Sequence, residues 1–96
     1  MSPLTVVAKV KAKKESVETV KSELLQLIPP TRKENGCIAY NLHQDDEDPA
    51  LFIFYETWKN EACLEKHMGS DHFKGCINTI GGMIEEQAVH IMTRIE

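Results

Sequence analysis

Apolar and polar residues alternate over Leu4, Val6, Ala8, Val10 and Ala12, with Thr5, Lys9 and Lys11 between them. A period of two predicts a half-buried strand. From about Glu15 the period lengthens, and Val17, Val20, Leu24, Leu27 and Ile28 share one stripe of a helix. Pro29-Pro30 is expected to interrupt that helix, since proline clashes with the preceding turn and donates no hydrogen bond. A further turn over Thr31 to Asn35 follows, with Gly36 ending it in the left-handed conformation. Ile38, Tyr40 and Leu42 alternate with Asn41 and His43 in a second strand, and Asp45-Asp46-Glu47-Asp48-Pro49 reads as a solvated turn. Leu51 to Trp58 is the third strand. Asn60 is placed to cap a short helix running to about Met68. After Gly69, Ser70 caps another helix, with Phe73, Ile77, Ile80 and Ile84 as its apolar residues and Gly81-Gly82 weakening its end. Val89, Ile91, Thr93 and Ile95 alternate with polar and longer side chains in a last strand.

The order β-α-β-β-α-β is that of an α+β, ferredoxin-like fold whose second helix is split. Right-handed crossovers make its sheet antiparallel, with the helices on one face. The whole chain, 1–96, is expected to form a single domain. The third strand is apolar on both faces: Phe52, Phe54 and Trp58 on one, Leu51, Ile53 and Tyr55 on the other. Helices can cover only one of them. The other would leave a large apolar patch in water, so a homodimer pairing sheet against sheet is expected.

Composition narrows the partners. A net charge of −4 with scattered lysines offers no electrostatic footprint for nucleic acid or an anionic membrane. No apolar run approaches the roughly 20 residues of a membrane span, and the first residues lack the pattern of a signal peptide. Three cysteines, Cys37, Cys63 and Cys76, form no CxxC pair and fit a reducing compartment as small apolar residues. A cytoplasmic protein is the expectation.

Chemistry concentrates after residue 52. Positions 52, 54, 56 and 58 share one strand face, which sets Glu56 among Phe52, Phe54 and Trp58. A carboxylate there either lines a pocket, with its pKa raised by lost hydration toward a range useful for proton transfer, or sits at the rim paired with a lysine such as Lys66. His67 is in phase with Leu64 on the short helix and faces the sheet, as a base or orienting donor or as a satisfied core histidine. His72 lies in the first turn after Ser70, where the helix dipole disfavours positive charge. Trp58, Phe54 and Phe73 are core residues that would also wall a cavity. The five-residue gap between His67 and His72 matches no helical ligand spacing, so no metal site combining them with Glu56 is expected. Nor is there a glycine-rich phosphate or dinucleotide loop.

Gly36-Cys37-x-x-Tyr40, Asp48-Pro49, Phe54-Tyr55-Glu56-x-Trp58, Leu64-x-x-His67 and His72-Phe73-Lys74 stand in an order that resembles the antibiotic biosynthesis monooxygenase family over nearly the whole chain. The resemblance implies a dimeric α/β barrel with a cavity between helices and sheet in each subunit. Its members include cofactor-independent oxygenases of polycyclic aromatics, quinol monooxygenases, haem-degrading enzymes and an autoinducer isomerase, so the fold leaves the reaction open. Trp58 matches the cavity tryptophan of the haem-degrading branch. That branch's axial histidine falls at about Ile77 here and its strand-one asparagine at about Val10, so haem degradation is not expected. The Glu-x-Trp and Leu-x-x-His pieces look closer to the quinol monooxygenase and isomerase branches.

The resulting expectation is a monooxygenase without cofactor that oxidises a hydroquinone- or polyphenol-like aromatic with molecular oxygen. Glu56 or His67 would be the catalytic base, and Trp58, Phe54, Phe73, His72 and Tyr40 would bind substrate. Two alternatives stand beside it: an isomerase that uses the same groups for proton transfer next to a carbonyl, and a dimeric ligand-binding or stress-response module without catalysis.

Overall fold

The computed structural model describes residues 3–96. Its elements run β1 (Leu4–Ala12), α1 (Val17–Gln26), α2 (Ile28–Arg32), β2 (Cys37–Gln44), β3 (Leu51–Trp58), α3 (Glu61–Met68), α4 (Asp71–Ile80) and β4 (Ile84–Met92). The strands form one sheet in the order β2-β3-β1-β4, every neighbouring pair antiparallel. This is the ferredoxin-like α+β arrangement, with α3 and α4 as the split second helix.

Register fixes which side chains meet. Val6 lies opposite Glu56 on β3, and Ala8 opposite Phe54. On the other side of β3, Tyr40 is the partner of Glu56. These positions share the helix-covered face. Along β3 burial alternates: Phe52, Phe54, Glu56 and Trp58 are buried, whereas Leu51, Ile53 and Thr57 are partly covered and Tyr55 is 48% exposed. The core joins that face to Val20, Leu24 and Leu27 of the first helical segment, Leu64 of α3 and Cys76 and Ile80 of α4. Burying one such large apolar side chain contributes about 1.5–3 kcal/mol, and this layer is what holds the helices on the sheet. Among the described residues, no helix covers the opposite face, which carries Ile53 and Tyr55.

Several boundaries differ from the sequence pattern. The helix breaks at the prolines as expected: α1 stops at Gln26, and after Leu27 the prolines sit in the first turn of a second short helix, α2. In a first helical turn the missing N–H would have no intrahelical partner, so proline fits there. Arg32 ties this short helix to β2, donating from Nε and Nη2 to the Tyr40 carbonyl at 3.2 and 3.0 Å. Gly36 has φ +87°, the left-handed conformation expected of it. Asn60 and Ser70 cap α3 and α4 as expected, accepting from the N–H groups of Cys63 and Phe73. Ile84 belongs to β4 rather than to the preceding helix, and β4 ends at Met92 instead of continuing to Ile95. Its ladder with β1 stops at Thr5 opposite Met92, one residue short of the first residue of β1, Leu4. Cys76 is buried, but Cys37 and Cys63 are only partly so; all three are free thiols.

Candidate active site

A cavity of about 430 Å³ opens between the sheet and the helices. Leu24 of α1, Tyr40, Phe54 and Glu56 of the sheet, and Phe73 and Ile77 of α4 line it. Apart from Glu56 and Tyr40, the charged or amide residues that border it are Lys9 and Gln87. The alternation of β3 brings Glu56 to this face, and its partner Tyr40 is carried beside it on β2.

Glu56 is 4% exposed. Burial pushes its carboxyl up to about 7, against a hydrogen bond from Trp58 that pulls it down and a smaller upward contribution from the negative charge of Glu34. The Trp58 indole Nε1–H donates to Glu56 Oε1 at 2.8 Å. The carboxyl is therefore poised near neutrality, with one oxygen held by an indole. No contact with Lys66 forms part of this site, and the rim-pairing alternative for Glu56 falls away with its burial. Tyr40 is stacked on Phe54 with ring centroids 4.7 Å apart. Burial, and then the charge of Glu56, push its phenol well above the ordinary range, which keeps it a neutral O–H donor at any physiological pH.

The sequence-selected residues divide into two groups. Glu56, Tyr40, Phe54 and Phe73 line the cavity; Trp58, His67 and His72 do not. Trp58 is fully buried and acts on the cavity through its bond to Glu56, not as a wall. His67 is 2% exposed and packs against three rings: Trp58 at 4.8 Å, Phe73 at 5.0 Å and Tyr40 at 5.5 Å. Two of those rings line the cavity, so His67 lies behind the wall rather than in it. Its burial pushes the imidazole below its ordinary pKa, partly offset by the hydrogen bond and charge of Glu34. His72 is turned the same way, away from the cavity.

The residue absent from the sequence reading is Glu34. Its Oε2 accepts from His67 Nδ1 and from His72 Nε2, each at 2.7 Å. The two histidines do converge on one carboxylate, but that carboxylate is Glu34 instead of Glu56. Nothing local marks Glu34: it sits at the end of a helical turn just before Gly36, where a glutamate normally reads as solvated, and its partners are 33 and 38 residues away.

Comparison with known proteins agrees with this architecture. Residues 3–79 match the family described as antibiotic biosynthesis monooxygenase. The chain belongs to that family. A solved structure from Pseudomonas aeruginosa superimposes with a TM-score of 0.96 at 32% identity, covering 100% of this chain and 97% of the other. Among curated relatives, "Putative monooxygenase YcnE" of Bacillus subtilis is 33% identical over 73% of this chain and 74% of its own length. "Probable quinol monooxygenase YgiN" of Escherichia coli is 24% identical over 93% of this chain and 95% of its own. Another relative, from Synechocystis, is 32% identical over 71 residues, and the chain spans only about half of it, 48%. Among the described residues, no helix of this family member is long and apolar enough to cross a membrane.

Proposed function

We propose that the protein is a cofactor-independent monooxygenase that oxidises a small hydroquinone- or polyphenol-like aromatic in the cavity between sheet and helices. The observation that carries this reading is Glu56, a carboxyl buried in a mostly apolar cavity, whose pKa burial pushes up to about 7. A hydroquinone needs little more than this. Glu56 removes a phenolic proton, and the phenolate passes one electron to oxygen. The resulting semiquinone and superoxide combine at a ring carbon to a peroxide. Loss of that carbon's proton and cleavage of the O–O bond then leave a hydroxyquinone and water, with the proton held by Glu56 going to the departing oxygen. Hydroquinone plus oxygen thus gives hydroxyquinone plus water, with no external reductant. A base with a pKa near the working pH suits the first and last steps. In this reading the Tyr40 phenol donates to a substrate oxygen, and Phe54 and Phe73 stack on the ring; all three line the cavity. His67, outside the lining, serves as a positioning residue for Trp58 and Tyr40. The family membership and the name of the Escherichia coli relative support this choice of chemistry.

We further propose that a second copy of the chain covers the helix-free sheet face around Ile53 and Tyr55, and that the protein works in the cytoplasm, where three free thiols remain reduced. Few polar groups border the cavity, which favours ligand storage as the rival function. Oxygen uptake by purified protein given a reduced naphthoquinone, with the product weighed by mass spectrometry after reaction under isotopically labelled oxygen, separates the two. Uptake with one labelled atom in the product supports oxygenation. Saturable quinol binding without uptake supports storage.

A further inference from the structure

Glu34, His67 and His72 come from three separate segments: the loop before β2, the last turn of α3 and the first turn of α4. Their ligand-capable atoms all lie within 4.8 Å of one another. We propose that these three side chains bind one divalent transition-metal ion of the zinc class, on the side of His67 opposite the substrate cavity. Glu34 would supply one carboxylate oxygen, His67 its Nδ1 and His72 its Nε2.

The chemistry of the donor set fits. Two imidazoles and a carboxylate are a common set for zinc, which takes His nitrogen and carboxylate oxygen at about 2.0–2.2 Å in tetrahedral geometry. Such a site spaces its donor atoms about 3.4 Å apart, from that bond length and the tetrahedral angle. The two contacts of Glu34 Oε2, at 2.7 Å, fall short of this by well under 1 Å. Turning the carboxylate about its own bonds opens them. Three protein donors leave a fourth position, and one of the three, Glu34, borders open space. Glu34, Ser70, Lys66 and Asp71 border a surface groove of about 390 Å³, and the Ser70 hydroxyl lies 3.2 Å from His72 Nε2 on that side. Lys66 opposes a cation there, while Asp71 and the net charge of −4 favour one.

Protonation is compatible with ion entry. Without an ion, both imidazoles donate an N–H to Glu34. With an ion bound, each would present that nitrogen's lone pair to it and carry its ring proton on the other nitrogen. The ion would tie three segments together at the point where α3 gives way to α4. It would touch neither Glu56 nor the cavity lining, and the binding it predicts is read without any turnover.

The test is titration of tag-free protein with zinc by calorimetry, and with cobalt by visible absorption. One ion per chain is expected, with a dissociation constant in the micromolar range or tighter, a cobalt spectrum of four-coordinate nitrogen–oxygen ligation and a raised thermal midpoint. His72→Gln keeps a hydrogen-bond donor for Glu34 at a partly exposed position but removes the imidazole. It should weaken binding at least tenfold, as should Glu34→Gln, while His43→Ala should leave binding unchanged. No saturable binding by wild type, or superimposable titrations of wild type and His72→Gln, would overturn the proposal and leave the trio a hydrogen-bonded cluster.

Discussion

Replacing Glu56 by glutamine should remove a measurable pH dependence from folding stability. The carboxyl moves from an ordinary 4.5 to about 7 on folding, chiefly because the folded protein strips its water. At 1.36 kcal/mol per pKa unit, a rise of about 2.5 units corresponds to about 3 kcal/mol. With the side chain 4% exposed, solvent screening takes little from this figure. The sign follows from which state holds the proton more tightly, and here it is the folded one. Below about pH 4.5 both states are protonated, and the group costs nothing. Between 4.5 and 7 the unfolded chain releases its proton while the folded protein keeps it, so stability falls as pH rises. Above 7 both are ionised, and the full loss persists. His67 acts in the opposite direction, because its lowered pKa makes folding less favourable below its ordinary titration range. The difference between wild type and Glu56→Gln therefore isolates the carboxyl. Urea denaturation at intervals from about pH 4.5 to 8, followed by circular dichroism, should show wild type losing about 3 kcal/mol relative to the variant over that range. Parallel curves, or a wild type that gains on the variant as pH rises, would refute the buried, proton-holding carboxyl.

Trp58→Phe removes the only indole donor to Glu56. A hydrogen bond to a charged group is worth about 1.5–3 kcal/mol, so carbon-13 NMR of the Glu56 carboxyl should show its pKa rising by about one unit or more, and an unchanged value would deny the bond its role. Gly36→Ala meets two obstacles, a φ of +87° and a Cβ that would overlap Cys63 Sγ. It should cost at least about 2 kcal/mol in denaturant melts, with Cys63→Ala in the same chain recovering only a fraction, since the Cβ of residue 63 would still lie 2.8 Å away. Light scattering at micromolar concentration should give twice the 10.9 kDa chain mass, and Ile53→Asp should dissociate or unfold the protein, because it buries an unpaired charge at the proposed interface; a monomeric wild type would remove the case for paired sheets.

How much of this was legible in sequence depends on the range over which each signal acts. Strand and helix periods, and the caps at Asn60 and Ser70, are local, and the topology follows from them. The placement of Glu56 was legible for the same reason: a period of two assigns a face without any knowledge of the partner strand. Boundaries set by a neighbour were not. β4 stops where its ladder with β1 stops, at Met92 opposite Thr5, and nothing between Thr93 and Ile95 announces that. Pro29-Pro30 did mark the break between α1 and α2, but not that the same pair would sit in the first turn of the helix that follows. In the site, pattern put Trp58 and His67 near the right face but not at the right depth, since a helical phase cannot say whether a ring reaches the cavity or stops behind Tyr40 and Phe73. Glu34 was invisible, because its meaning lies in two histidines more than thirty residues away.

The central claim, that Glu56 is the base of an oxygen-consuming reaction, is tested most directly by the pH profile of oxygen uptake with a reduced naphthoquinone in wild type and Glu56→Gln. Wild-type turnover should rise with pH through about 7, as the carboxyl loses its proton. Glu56→Gln should fall by roughly a hundredfold or more and lose that rise, the scale expected when a general base is removed. Full turnover in Glu56→Gln, with the same profile as wild type, would contradict the account.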